Sequence, residues 1–88
     1  MADITERERD VLVQCLTGGS GEVYRNYYCA DPAHHSWPEI VRLMERDFLR
    51  MGAQVTGQRY RYFHCTPAGA RAVGLHAPHD RSMSGGAA

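Results

Sequence analysis

Arg59-Tyr-Arg-Tyr-Phe-His-Cys-Thr-Pro-Ala-Gly-Ala-Arg71 is the stretch that decides the fold. Rings alternate with arginines from Arg59 to Tyr62, the two-residue period of a strand. Thr66 suits a helix N-cap, and Pro67 suits the first helical position, where its missing N–H is no loss. Upstream, Val55-Thr56-Gly57-Gln58 supplies a turn. The reading is a hairpin, with strands over residues 48–55 and 58–65, that runs into a short helix from Pro67 to about Val73, closed by Gly74. Because a strand has two faces, Tyr60 and Tyr62 share one, and Arg59, Arg61 and Phe63 share the other. Either Phe63 faces the core and the tyrosines point outward, or the tyrosines face the core and the two arginines lie beside Phe63.

Working back towards the N-terminus, Thr5-Glu6-Arg7-Glu8 is a capping box, in which the threonine oxygen and the glutamate satisfy two amides reciprocally. It predicts a helix from Thr5 to about Leu16 with Ile4, Val11, Leu12, Cys15 and Leu16 on its apolar face, ended by Thr17-Gly18-Gly19. Residues 18–22 form a flexible loop. The aromatic run Val23-Tyr24-Arg25-Asn26-Tyr27-Tyr28-Cys29 is either a short strand or an ordered loop, and its pattern does not decide between them. Asp31-Pro32 marks a turn.

Ser36-Trp37-Pro38-Glu39 is a second capping-box pattern. The helix after it carries a stripe of Trp37, Ile40, Val41 and Met44, which Phe48 and Met51 would extend. Asp47 would interrupt that extension, so the helix is expected to end near Arg46, with Asp47 taking the left-handed exit conformation.

Eighty-eight residues allow one domain, over residues 1–76, with a tail over 77–88 that lacks periodicity and reads as disordered. The net charge is zero, and all ten basic residues are arginine. The balance is uneven: residues 1–22 hold five acids against two arginines, whereas residues 59–71 hold three arginines and no acid. Neutrality removes the usual counterion-release drive for gripping a phosphate backbone, but leaves room for a locally basic hairpin. Three widely spaced cysteines argue against a secreted disulfide framework, and neither a leader nor a membrane-length apolar run is present. A reducing cytoplasm and no membrane partner are the expectation.

Cys29, His34, His35, His64, Cys65, His76 and His79 invite a zinc reading, but no Cys-x-x-Cys pair exists and the His/Cys spacings are loose. Buried Cys15 and Cys65 acting as small hydrophobes, with surface histidines, is the simpler account. Cys29 or Cys65 with a histidine could mimic a nucleophile and base, yet His64 and Cys65 point to opposite faces of a strand. Gly18-Gly19-Ser20-Gly21 lacks the lysine and helix of a phosphate loop. No metal, no cofactor and no chemistry of its own are expected.

Trp37-Pro-Glu-Ile-Val-Arg-Leu-Met-Glu-Arg-Asp-Phe-Leu-Arg50 resembles the recognition helix and exit of winged helix-turn-helix proteins of the multiple-antibiotic-resistance-regulator type. Tyr62-Phe-His-Cys-Thr-Pro-Ala-Gly-Ala-Arg71 is similar to their wing strand and following helix, matching at Thr66, Gly69 and Arg71. Asp47 stands where that pattern has glycine, and residues 18–36 do not read as the first helix of a helix-turn-helix. The resemblance implies a small α+β winged-helix-like domain of three helices with a β-hairpin wing. Residues 4–75 also resemble small proteins of bacteriophages and prophages. That implies a bacterial host setting, in which some proteins of this size inhibit defence systems, CRISPR effectors among them, by docking onto them.

Two binding classes follow. Arg42, Arg46 and Arg50 on the second helix and its exit, with Arg59 and Arg61 on the wing, suit phosphate and guanine edges, as in a small DNA-binding regulator. Glu39, Glu45 and Asp47 interleave with them, which is the pattern of a solvated mixed-charge face. Tyr60 and Tyr62 beside those wing arginines, with Tyr24, Tyr27, Tyr28 and Trp37, suit docking on a host protein or ribonucleoprotein complex. Some folds of this kind also form homodimers through the first helix. The reading preferred here is the docking protein, with the regulator as its alternative.

Overall fold

The computed structural model describes residues 4–54, 57 and 59–76. The tail expectation for 77–88, and most of the turn read at residues 55–58, fall outside the described residues. Three helices and one antiparallel sheet follow in the order α1 (Glu6–Thr17), β1 (Tyr28–Ala30), α2 (Trp37–Glu45), β2 (Leu49–Gln54), β3 (Arg61–Cys65) and α3 (Pro67–Ala72). The strands lie in the order β1-β3-β2, so β3 is central and the 24–29 segment does end in a strand.

The capping box of α1 forms as read: Glu8 N donates to Thr5 Oγ1 at 3.1 Å and Thr5 N to Glu8 Oε1 at 3.0 Å. Gly18 ends the helix at φ 61, with Tyr24 and Arg25 folded over it. That conformation disfavours any residue with a Cβ. Val11, Leu12, Cys15 and Leu16 are buried and Ile4 packs beside them. They meet Ile40 and Leu43 of α2, Leu49 of β2, Phe63 and Cys65 of β3, and Ala70 of α3. Buried Phe63 fixes the face of β3, so Tyr62 points away from the helices.

Three expectations need correction. The Ser36 capping box does not form: Ser36 sits at φ −94, ψ 9, outside the extended region an N-cap uses, and its side chain caps nothing. Glu39, which should reach back to it, turns to Arg42 instead. The buried stripe of α2 is Ile40 and Leu43, with Trp37 and Met44 at its margins, and Met51 is 44% exposed. The second wing strand starts at Arg61 rather than Gln58, which leaves Arg59 and Tyr60 ahead of it.

The end of α2 is a Schellman motif built with aspartate. Asp47 takes φ 62 and donates from its N to Met44 O at 3.0 Å, while Phe48 N donates to Leu43 O at 2.8 Å. The start of α3 locks onto that exit. Thr66 Oγ1 accepts from Gly69 N at 3.0 Å and donates to Asp47 O at 2.6 Å, and Thr66 N donates to Phe48 O at 3.1 Å. A Cβ at Gly69 would overlap the Phe48 carbonyl, which is backbone and cannot swing aside. Gly69→Ala should therefore destabilise the domain by about 1–3 kcal/mol, the range for overpacking. Arg9→Ala, on the exposed side of α1, serves as the control, both being read from urea midpoints.

Candidate functional site

The helices pack on one face of the sheet, through Phe63 and Cys65. Strand register then determines which side chains reach the other face. Tyr62 pairs with Cys29, and His64 with Arg50. Gly52 falls at the irregularity of β2, against the His64 ring and the Tyr62 carbonyl, and Tyr27, one step before β1, meets the Tyr62 ring. The outer face thus carries two pairs, His64 with Arg50 and Tyr62 with Cys29, with Tyr27 beside Tyr62 and Gly52 beside His64.

Local contacts hold these groups in place. Tyr27 and Tyr62 meet edge to face with centroids 6.0 Å apart. The Arg25 guanidinium lies 4.4 Å over the Tyr27 ring and donates from Nη2 to Gln14 O at 2.8 Å. His64 Nδ1 is 2.6 Å from Asn26 O, and since a carbonyl only accepts, that nitrogen carries the proton. The Asn26 side chain takes the place of a strand neighbour, accepting from Cys65 N at 2.7 Å and donating to Cys65 O at 3.1 Å.

The residues singled out from sequence are distributed more widely. Arg42 turns to α1, with Nε 2.6 Å from Glu8 Oε2 and Nη2 3.4 Å from Glu39 Oε2. Arg46 stacks its guanidinium 4.9 Å over Phe48. Arg50 is exposed on the outer face. Arg59 is 85% exposed and 3.9 Å from Asp31, while Tyr60 is 44% exposed beside it. Arg61 donates to Gly52 O at 3.3 Å across the irregularity in β2. Of the predicted set, only Arg50 and Tyr62 fall within the two pairs. Sequence reasoning missed Arg25, Asn26 and Gly52 as parts of this surface. The alternation of Tyr27 with Cys29 was the one available signal for it.

The titratable groups away from the sheet are structural. Burial raises the Glu8 carboxyl, but the Arg42 hydrogen bond, the Thr5 amide and the charges of Arg42 and Arg46 together outweigh it, so the group sits below the ordinary glutamate value. Burial and then neighbouring His35 lower His34 against the pull of Asp31, and Ser36 N donates to its Nδ1 at 3.0 Å. His34 and His35 stack at 4.3 Å. A cleft of about 740 Å³ lies beside them, between α1 and α2. Its charged side chains are exposed to solvent, as Arg7 and Asp10 are, or paired, as Glu39 is. Cys15 and Cys65 are buried, with Cys15 Sγ 3.1 Å from Asn26 Oδ1, and contact with the Cys15 thiol together with burial pushes Cys65 far up. Among the described residues no three His, Cys, Asp or Glu side chains converge to hold a metal ion, and no helix is long and apolar enough to cross a membrane.

No protein-family model, curated protein or solved structure matches this chain.

Stability should fall in two stages on acidification. The His34 share goes first, below about pH 6.5, because the unfolded chain then takes up a proton that the folded site resists. The Glu8 share is complete above about pH 4.3 and is lost as pH falls through the lower folded value. Glu8→Gln should remove the second stage and leave the first, measured as urea midpoint against pH. Thiol alkylation offers an independent check. One cysteine, exposed Cys29, should react in the native protein, and all three should react in denaturant.

Proposed function

We propose that this chain is a winged-helix-like binding protein without chemistry of its own, of the phage type, that docks on a macromolecular complex of a bacterial host through its sheet and hairpin. A defence complex such as a CRISPR effector is the partner class that the resemblance of residues 4–75 suggests. The element order, with β1 pairing against a hairpin that follows α2, supports the winged-helix reading.

The observation that carries the docking reading is what the arginines and rings do. A groove-reading helix needs free side chains on its outer surface. Here Arg42 is held by two carboxylates across the α1–α2 contact, α2 has only nine residues, and residues 32–36 are turns in place of a preceding helix. Meanwhile Tyr24, Tyr27, Met51 and Tyr60 stand 42–62% exposed. Tyrosine and arginine together are the side chains from which interface hot spots are made.

The test is crosslinked affinity purification from a bacterial lysate with three proteins: wild type, an Arg59→Glu/Tyr60→Ala double variant, and an Arg9→Glu variant on exposed α1. The expected result is a reproducible host complex that the double variant loses by about tenfold, the scale of one hot-spot residue, and that the α1 variant keeps. Recovery of nothing reproducible would count against docking. Salt-steep binding to duplex DNA that Arg46→Ala and Arg50→Ala weaken would instead favour the regulator.

A further inference from the structure

We propose that the outer face of the sheet binds single-stranded nucleic acid, with Tyr62 as the stacking platform and Arg50 and Arg25 taking the backbone phosphates. The source of the strand rests on the docking reading, in which the host complex is a ribonucleoprotein; the binding itself does not.

Charge complementarity is the first argument. No residue of β1, β2 or β3 is acidic, whereas exposed Arg50 lies on the outer face opposite His64. Arg25 adds a further guanidinium at the Tyr27 edge. The acids of the described chain lie on helices and loops, and the two most buried, Glu8 and Glu39, are neutralised by Arg42. Asp31 directly follows β1; its Oδ1 accepts from Ala33 N at 3.0 Å and its other oxygen is 3.9 Å from Arg59. A chain with zero net charge thus presents a sheet face that carries Arg50 and no strand acid.

The arrangement of the rings is the second argument. Tyr62 pairs with exposed Cys29, whose small side chain leaves the half-buried ring open on that side. Gly52 must be small: a Cβ there would come within 2.5 Å of His64 Nε2 and 2.8 Å of Cδ2. His64 therefore lies towards β2, fixed at its other nitrogen by Asn26 O. Tyr27 braces Tyr62 from the edge and is itself braced by Arg25. A base that stacks on a ring already held in place gives up less entropy than one that must order it. Stacking of this kind tolerates any base, and the strands offer no helix for a duplex groove.

The test uses fluorescein-labelled 12-nucleotide oligo(dT) and oligo(U), and a duplex of equal length, read by anisotropy across a salt series. The expected result is saturable single-strand binding at about 50 mM salt that exceeds duplex binding and weakens as salt rises. Tyr62→Ala should cost about tenfold. Arg50→Glu, at an exposed site, should cost at least as much and flatten the salt slope at an unchanged urea midpoint, while Arg9→Glu changes neither. Wild-type protein gives a second readout: saturating oligo(dT) should slow alkylation of Cys29, which adjoins Tyr62, several-fold. Absence of single-strand binding at low salt, Tyr62 and Arg50 variants that bind like wild type, unprotected Cys29, or a preference for duplex would each overturn the proposal. If lysate purification still recovers a host complex that depends on Arg59 and Tyr60, the docking reading stands without the strand-binding face. If the oligonucleotides bind and no host complex is recovered, docking fails and the strand-binding face remains.

Discussion

The clamp between Thr66 and the exit of α2 is the contact on which the rest of the domain depends. One hydroxyl both caps α3 and holds Asp47 O, and the adjoining amide holds Phe48 O. Asp47 is the one described non-glycine residue at positive φ, so its conformation requires support from its surroundings. With that exit fixed, Leu49 enters β2 in register with Cys65, and the hairpin is aligned from its open end, away from the turn. Gly69 is small because the Phe48 backbone passes against it. The Thr66-Pro-Ala-Gly69 pattern that resembles a regulator's wing is therefore a joint, and its presence bears on fold more than on function.

Several polar side chains serve two structural roles at once. Glu8 completes the α1 capping box and also receives Arg42 from α2, which ties the helix start to its neighbour. Asn26 extends the sheet past β1 with its side chain, while its carbonyl orients His64. Buried or half-buried polar groups of this kind are stable only when their partners are complete. This is why Arg42, chosen from sequence as a nucleic-acid contact, is engaged by the fold although its side chain is 48% exposed: removing it would strand a carboxylate that is only 5% exposed.

What the sequence disclosed follows from the range of the forces involved. Local signals read well. The Thr5 box, the Gly18 stop, the left-handed Asp47 and the Thr66 cap each depend on residues within one turn of one another. The Ser36 box failed because Ser36 leaves the extended N-cap conformation and Glu39 turns to Arg42, which Glu8 of α1 holds in place from far along the chain. The choice between strand and loop at Tyr24–Cys29 stayed open for the same reason: only pairing with β3, more than thirty residues on, makes Tyr28–Ala30 a strand. The outer face depends on that pairing too, so Tyr62 was legible as a candidate while its relation to Tyr27, Cys29 and Gly52 was not.

Zero net charge was the strongest sequence argument against a nucleic-acid partner, and the fold changes how it should be weighed. Net charge governs the long-range field, but contact affinity depends on the local surface that a partner meets within a Debye length, about 8 Å at physiological ionic strength. Folding sorts the charges: carboxylates gather along α1, α2 and the loops, and the sheet keeps only arginine and histidine. A neutral protein with a segregated face gains little from steering at a distance, so binding there must come from short-range contact, the ring of Tyr62 above all. Salt should then weaken such binding less steeply than it weakens that of a uniformly basic protein, because few phosphates are neutralised. Segregation of this kind is compatible with a partner that already holds its own cationic channel, where an overall basic intruder would be repelled and a neutral one would not.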